Sequence, residues 1–293
     1  MIDSKQNQKT TAWLEKRSGG LKLATLVFVF CSFNVLGQRN NTVYKDLHEA
    51  LSRPEQVYRL DLSYKYMDSL DPDIGKLVNL EELDLNNNNL KRLPAEIGKL
   101  RHLRKLNLFK NKLETLPEEI GNLEQLERLF LSNNRLKILP DGVTNLSALK
   151  ELSVKDNKLQ SLPVSFGKMK NLEQLFLSYN YLISLPAGLG SCSKLEQLSI
   201  DHNHITFLPA AIGKLHALRL FFIGKNELSV LPNELCNLEK LQQLDVSYSG
   251  LIGSLPDCLS DLNELELLYI DRNCAAPYSV LARKNYRLKV IVQ

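Results

Sequence analysis

Apolar residues recur in this chain with two superposed rhythms. The first is a pair of large apolar residues around one variable position. It appears at Leu60/Leu62, Leu83/Leu85, Leu106/Leu108, Leu129/Leu131, Leu152/Val154, Leu175/Leu177, Leu198/Ile200, Phe221/Ile223, Leu244/Val246 and Leu268/Ile270, and predicts ten short strands. The second is punctuation. Pro94, Pro117, Pro140, Pro163, Pro186, Pro209 and Pro232 stand 23 residues apart, each preceded by leucine, and Leu255-Pro256 follows after a step of 24. A fixed period of this length marks a stacked solenoid, in which each unit buries its apolar side only against its neighbours.

The unit read from Leu80 has the skeleton Leu80, Leu83, Leu85, Asn88, Leu90, Leu93-Pro94, Ile97-Gly98 and Leu100. This spacing, LxxLxLxxNxLxxLPxxIGxL, resembles the leucine-rich repeat in its 23-residue form over about residues 57–291. The form is similar to that of exported bacterial repeat proteins and of intracellular scaffolds that bind Ras-like GTPases. The resemblance implies an α/β solenoid: a leucine-rich repeat horseshoe with a concave parallel β-sheet of about ten strands and irregular or short-helical convex segments. The asparagines Asn88, Asn111, Asn134, Asn157, Asn180, Asn203, Asn226 and Asn273 sit where each strand turns inward. An amide carries both donors and an acceptor and suits buried turn backbone. In the family such residues form a ladder, and the resemblance implies that role for these eight. The prolines rigidify the start of each convex segment, and the Ile-Gly pairs Ile97-Gly98, Ile120-Gly121 and Ile212-Gly213 suit a tight convex turn.

The ends depart from the pattern. Lys65 and Ser249 stand where the column has asparagine, and Asp71 stands where it has proline. Val43, Leu47, Ala50 and Leu51 share one helical face before Pro54, which predicts an amphipathic lid. Leu288 and Val290 alternate as a closing strand, after Pro277 and a short helix. The expected domains are a signal peptide (1–37), an N-terminal capping helix (38–56), the repeats (57–274) and a C-terminal cap (275–293).

The leader changes how charge is read. Lys5, Lys9, Lys16, Arg17 and Lys22 precede an apolar run from Leu23 to Phe33, and Gly37 offers a cleavage point, as in a secretory signal peptide. Such a run falls short of the about 20 residues of a membrane span. The expectation is export, with cleavage after about Gly37 and no stable membrane span after processing; a cytoplasmic chain is the alternative. Removing residues 1–37 takes away five Lys/Arg and two Asp/Glu, so the formal charge falls from +4 to +1. Phosphate binding needs a clustered positive footprint, and nucleic acid is not an expected partner. Lys105, Lys110, Arg128 and Lys155 read as a solvated face.

Cys192 occupies an inward apolar column. Cys236, Cys258 and Cys274 gather near the C-terminus, where a Cys236–Cys258 or Cys258–Cys274 disulfide is open; free thiols are the preferred reading. No CxxC and no accompanying histidine spacing points to zinc. Asp201 and His202 supply a carboxylate and an imidazole without a third ligand or a nucleophile motif. Neither catalysis nor a cofactor is expected.

The variable residues between buried leucines carry the remaining information. The central column reads Asp61, Asp84, Asn107, Phe130, Ser153, Phe176, Ser199, Phe222, Asp245 and Tyr269, so aromatic rings alternate with small or polar residues. An exposed row of rings marks an interface. The expected contact core is Phe130, Phe176, Phe222 and Tyr269, with Phe109, Lys110, Tyr179, His202, Lys225 and Tyr248 around it. Three functions stay open: a non-enzymatic module binding a protein or peptide, an intracellular scaffold binding a small GTPase or similar protein, and a surface adhesin or glycan binder.

Overall fold

Each apolar pair folds as a three- or four-residue strand because alternate side chains of a strand point to opposite faces. The computed structural model describes residues 42–250, 252–272, 274 and 287–293. Its strands are β1 (Val43–Tyr44), β2 (Arg59–Asp61), β3 (Glu82–Asp84), β4 (Lys105–Asn107), β5 (Arg128–Phe130), β6 (Glu151–Ser153), β7 (Gln174–Phe176), β8 (Gln197–Ser199), β9 (Leu220–Phe222), β10 (Gln243–Asp245), β11 (Leu267–Ile270) and β12 (Lys289–Val292). They form one open sheet in chain order, and every pair is parallel. The pairing sets Leu83 on Leu106, Leu106 on Leu129 and Leu129 on Leu152. Those leucines are buried in one continuous core running the length of the stack. Burial of a leucine contributes roughly 1.5–3 kcal/mol, and no single coil could gather enough of it.

The convex segments are five-residue 3-10 helices, from Pro72–Lys76 to Asp257–Asp261. From Pro94 to Pro256 a proline caps each one. The glycines inside them answer a close approach rather than a turn. A Cβ on Gly98 would stand 2.5 Å from the Glu119 carbonyl oxygen of the next coil, and one on Gly190 would stand 2.2 Å from that of Ala211.

The asparagine ladder is present at seven of its eight expected positions, Asn273 lying outside the described residues. Asn157 shows the wiring. Its Nδ2 donates to Leu131 O at 3.0 Å and Val154 O at 3.2 Å, while its Oδ1 accepts from Leu136 N at 3.0 Å. Where Ser249 replaces asparagine, its Oγ donates to Ile223 O at 2.9 Å, and the Leu228 N–H turns to the Ser249 backbone carbonyl. Lys65 contributes only its backbone N–H, donated to Asn88 Oδ1 at 3.0 Å.

Both caps differ from expectation in detail. Val43 lies in β1 and pairs with Arg59 rather than joining a helix. The helix, α1, is confined to Leu47–Leu51, capped by Asp46, which accepts from Glu49 N at 2.9 Å. A strand there satisfies the free edge of β2 directly, which a helix laid over it would not. At the other end β12 pairs with β11. The sheet therefore has twelve strands rather than about ten. The leader, residues 1–37, and the short helix near Pro277 lie outside the described residues.

The preference for free thiols is overturned at one pair. Cys236 and Cys258 form a disulfide, with Cα atoms 5.7 Å apart. Cys236 occupies the column of Gly98 and Gly190, where neighbouring coils approach closely; Thr144 in that column reaches Ser165 of the next coil by a hydrogen bond, and at Cys236 the contact is covalent. Cys192 and Cys274 are free and buried. Burial pushes the Cys192 thiol up to about 11 and raises that of Cys274. Alkylation of the native protein is expected to spare Cys192 and Cys274, and alkylation in denaturant to reach both. Peptide mapping should then find Cys236 and Cys258 in one linked fragment; either cysteine alkylated without reductant would refute the bridge. For the loop it closes, a disulfide contributes about 3 kcal/mol on the chain-entropy estimate.

Candidate functional site

Between the buried leucines, each strand presents two residues outward, and their chemistry changes halfway along the sheet. From β2 to β6 they are Arg59, Asp61, Glu82, Asp84, Lys105, Asn107, Arg128, Phe130, Glu151 and Ser153. From β7 to β11 they are Gln174, Phe176, Gln197, Ser199, Leu220, Phe222, Gln243, Asp245, Leu267 and Tyr269. Seven charged residues in the first group face a single one, Asp245, in the second. In the charged half, Arg59 pairs with Glu82 at 3.1 Å. A shallow hollow there is lined by Arg59, Asp61, Glu82, Asp84 and Lys105. Asp61 lies below the usual carboxylate range: burial raises it, but hydrogen bonds from Ser63 and the nearby charges of Lys45 and Lys65 outweigh that.

The rings of the central column sit on alternate strands. Phe130 pairs with Ser153, Ser153 with Phe176, Phe176 with Ser199, Ser199 with Phe222, and Asp245 lies between Phe222 and Tyr269. At about 4.8 Å per strand, Phe130 to Phe222 spans roughly 19 Å. These four rings are half-buried rather than exposed. Small neighbours leave room for a ring to settle between them, and the Lys105 ammonium lies 5.9 Å from the Phe130 ring centre. Phe109 is more exposed, just past the end of β4.

Apart from Phe109, the surrounding residues proposed from sequence share a backbone feature that the sequence alone did not reveal. Tyr64, Asn87, Lys110, Asn133, Asp156, Tyr179, His202, Lys225 and Tyr248 all have φ between 53° and 57°. This left-handed conformation costs most residues about 1–2 kcal/mol and suits glycine, asparagine and aspartate best. Tyrosine, lysine and histidine hold five of the positions from Lys110 onward against that preference, so the repeat imposes this conformation whatever residue stands there.

Those side chains are ordered by contacts along the stack. The Lys155 ammonium lies 5.2 Å from the Tyr179 ring centre, Tyr179 stacks on His202 at 3.8 Å, and the Lys225 ammonium lies 5.9 Å from Tyr248. A parallel file stacks Tyr181 on His204 at 5.9 Å. Tyr181, Ile183, Phe207 and Val230 are exposed beside it and were missed in the sequence reading. Only counting columns beyond the ladder asparagine would have found them.

Ser178, Asp201 and His202 are wired unlike a catalytic triad. Ser178 Oγ donates to Asp201 Oδ1, and Asp201 Oδ2 is 2.8 Å from His202 Nδ1. The carboxylate stands between hydroxyl and imidazole, so the histidine has no contact through which to take the serine proton. No group of three or more metal-ligating side chains exists among the described residues.

Two family models match the chain: a leucine-rich repeat region over residues 48–130, and a leucine rich repeat over residues 102–159, 124–182 and 193–251. Among solved structures, a leucine-rich repeat protein of Leptospira interrogans is 28% identical with a TM-score of 0.54, over 86% of this chain and 82% of that one. The PEPR1–AtPEP1 structure is 30% identical with a TM-score of 0.69; the match covers 81% of this chain and 35% of that one, about a third of its length. An internalin from Listeria monocytogenes shares the fold, at 19% identity and a TM-score of 0.69, over 85% of this chain and 70% of that one. No curated protein matches the sequence.

Proposed function

The chain belongs to the leucine-rich repeat family, and on that premise we propose that it is a non-enzymatic recognition module that takes a protein or peptide on its concave face, centred on β7 to β11. The fold commonly serves protein–protein recognition, and the concave sheet is the extended surface such solenoids offer. The observation that carries the reading is the shift from charged to neutral and aromatic outward residues at β7. Interface cores are depleted in charge and enriched in aromatic anchors. Phe176, Phe222 and Tyr269 form the contact core, with Phe130 at its edge and Tyr179, His202, Lys225 and Tyr248 at the rim. Phe109 and Lys110, in the charged half, are peripheral.

Export is proposed with it. The charged leader and its apolar run support secretion, and a disulfide persists in oxidising compartments and rarely in the cytosol. The same bridge weighs against the intracellular scaffold. The stacked rim weighs against a glycan: a sugar needs an open ring face, and Tyr179 gives one face to His202 and the other to Lys155. Among the described residues no helix is long and apolar enough to cross a membrane.

The test is capture. Immobilised protein is expected to retain a discrete partner from the exported fraction of its own cells, and Phe176→Ser with Phe222→Ser to weaken retention by about 100-fold or more, as the loss of two buried anchors does. Thermal unfolding should stay nearly unchanged, since neither ring belongs to the leucine core. Undiminished capture by the double variant would overturn the concave site. The native chain's mass in that fraction, beginning at Gln38, checks export in the same preparation.

A further inference from the structure

At the N-terminal ends of the strands, charge alternates from Glu81 through Arg104, Glu127 and Lys150 to Glu173, before Glu173 and Glu196 stack as a like pair. Glu127 stands between Arg104 and Lys150 and pairs with both, at 3.0 and 2.9 Å, and those partners hold its carboxyl below the usual range. The edge beyond the ladder asparagines is built differently. There the residue after each ladder position donates its N–H to the preceding coil: Lys112 to Leu90, Arg135 to Leu113, Lys158 to Leu136, Tyr181 to Leu159 and His204 to Leu182. These bonds align Lys112, Arg135 and Lys158 in a file, about 4.8 Å per coil, with no carboxylate between them.

Lys91 and Lys137 flank the file with Glu114 between them in the next column, and Asp156 is the other carboxylate nearby. None of these five cations joins an ion pair among the described residues. The concentration is local. Six Lys/Arg and two Asp/Glu precede residue 42, which leaves residues 42–293 with no formal net charge against +4 for the whole chain. Stacked like charges repel, and the file Lys112, Arg135 and Lys158 holds three cations in succession with no carboxylate inside it.

The same file then changes character. Beyond Lys158 come Tyr181 and His204, and beside them Ile183, Phe207 and Val230 are 61%, 53% and 59% exposed. His204 Nδ1 is held by Glu227 at 2.7 Å. From Arg135 to His204 is three coils, about 14 Å, which roughly four extended residues span.

We propose that this edge binds an extended polypeptide segment with acidic residues at one end and apolar or aromatic residues about four positions further along. The carboxylates lie on Lys112, Arg135 and Lys158; the apolar side chains lie on Tyr181, Ile183, Phe207 and Val230. Charge complementarity fixes the first half of the occupant, and the exposed apolar half selects a polypeptide, since a polyanion would leave that patch bare. The site is separate from the concave aromatic core, which faces another direction on the strands.

The probe is a fluorescein-labelled peptide of four Glu/Asp residues, one glycine and Phe-Leu-Phe, read by anisotropy at about 50 mM salt, where surface electrostatics are weakly screened. Octaglutamate and a sulfated oligosaccharide are the comparisons. The peptide is expected to bind at least about tenfold more tightly than octaglutamate. Arg135→Glu with Lys158→Glu and, separately, Ile183→Ser with Phe207→Ser should each weaken it by about tenfold or more, with Arg135→Gln intermediate. These residues are exposed, and unchanged melting of each variant confirms that folding is intact. Phe176→Ser with Phe222→Ser should leave this binding in place, so the two sites fail independently. Equal binding of the sulfated oligosaccharide, insensitive to the Ile183 and Phe207 changes, would make the edge a polyanion site and overturn the proposal. So would absence of peptide binding at about 1 mM, an affinity worth only about 4 kcal/mol.

Discussion

Asn157→Ala is expected to destabilise the protein by about 1–3 kcal/mol, because it leaves one buried backbone donor without a partner. The amide satisfies three backbone groups at once, on two coils: the carbonyls of Leu131 and Val154 and the N–H of Leu136. Alanine leaves the Leu136 N–H buried and unpaired, at about 1–3 kcal/mol, while Leu131 O and Val154 O keep the Nδ2 donors of Asn134 and Asn180. A stack held by nearest-neighbour contacts concentrates that loss at the junction of the two coils Asn157 joins, where the leucine core and the strand pairing still hold them together. Asn157→Asp sharpens the test. A carboxylate would face two carbonyls without a donor, and only its protonated form could supply one. The folded-state pKa of the new carboxyl would therefore be raised. Its stabilising contribution would be present at low pH and lost as pH rises through that raised value. Urea unfolding at several pH values reads both effects. A loss below about 1 kcal/mol for Asn157→Ala, the size of an ordinary substitution, would show that the ladder is decorative.

Gly190→Ala is expected to cost about 1–3 kcal/mol, the range for overpacking. Its new Cβ would stand 2.2 Å from Ala211 O and 3.0 Å from Ala211 Cβ. The obstruction is backbone, which cannot swing aside as a side-chain tip would, so adjacent 3-10 helices would have to separate. Gly253 is the control: a Cβ there meets nothing within 4 Å, and Gly253→Ala should fall within about 0.5 kcal/mol of the wild type, as exposed changes usually do. Equal midpoints for the two variants in thermal unfolding would remove close approach as the reason for the glycine column.

The repeated interior was legible because every coil solves the same packing problem with the same letters. Leu83, Asn88 and Pro94 each recur at a fixed step, and repetition makes a weak local signal decisive. What escaped lies where repetition stops or where register in space matters more than period. Val43 looked helical because it shares a face with Leu47 and Ala50, but two residues that can pair with Arg59 and Leu60 satisfy an open edge better than a helix does. The partner of Cys236 could not be chosen from spacing. It follows from the convex approach that places Gly213 against Glu234, one coil earlier in the same column. The aromatic column was visible, whereas the half-burial of its rings depends on the serines that the register sets beside them. The left-handed column and the edge formed by Lys112, Arg135, Lys158 and Tyr181 require backbone angles and inter-coil hydrogen bonds that no composition reports.

The parallel sheet has a mechanical consequence. Its hydrogen bonds run along the stacking axis, so tension between the two ends of residues 42–293 would load them one rung at a time instead of all together. Coils would peel singly, each releasing up to about 75–80 Å of chain from its 23 residues. The Cys236–Cys258 bridge would withhold one such increment. A chain of this build yields in short steps and lengthens greatly before it fails, behaving under tension more as an extensible tether than as a rigid strut.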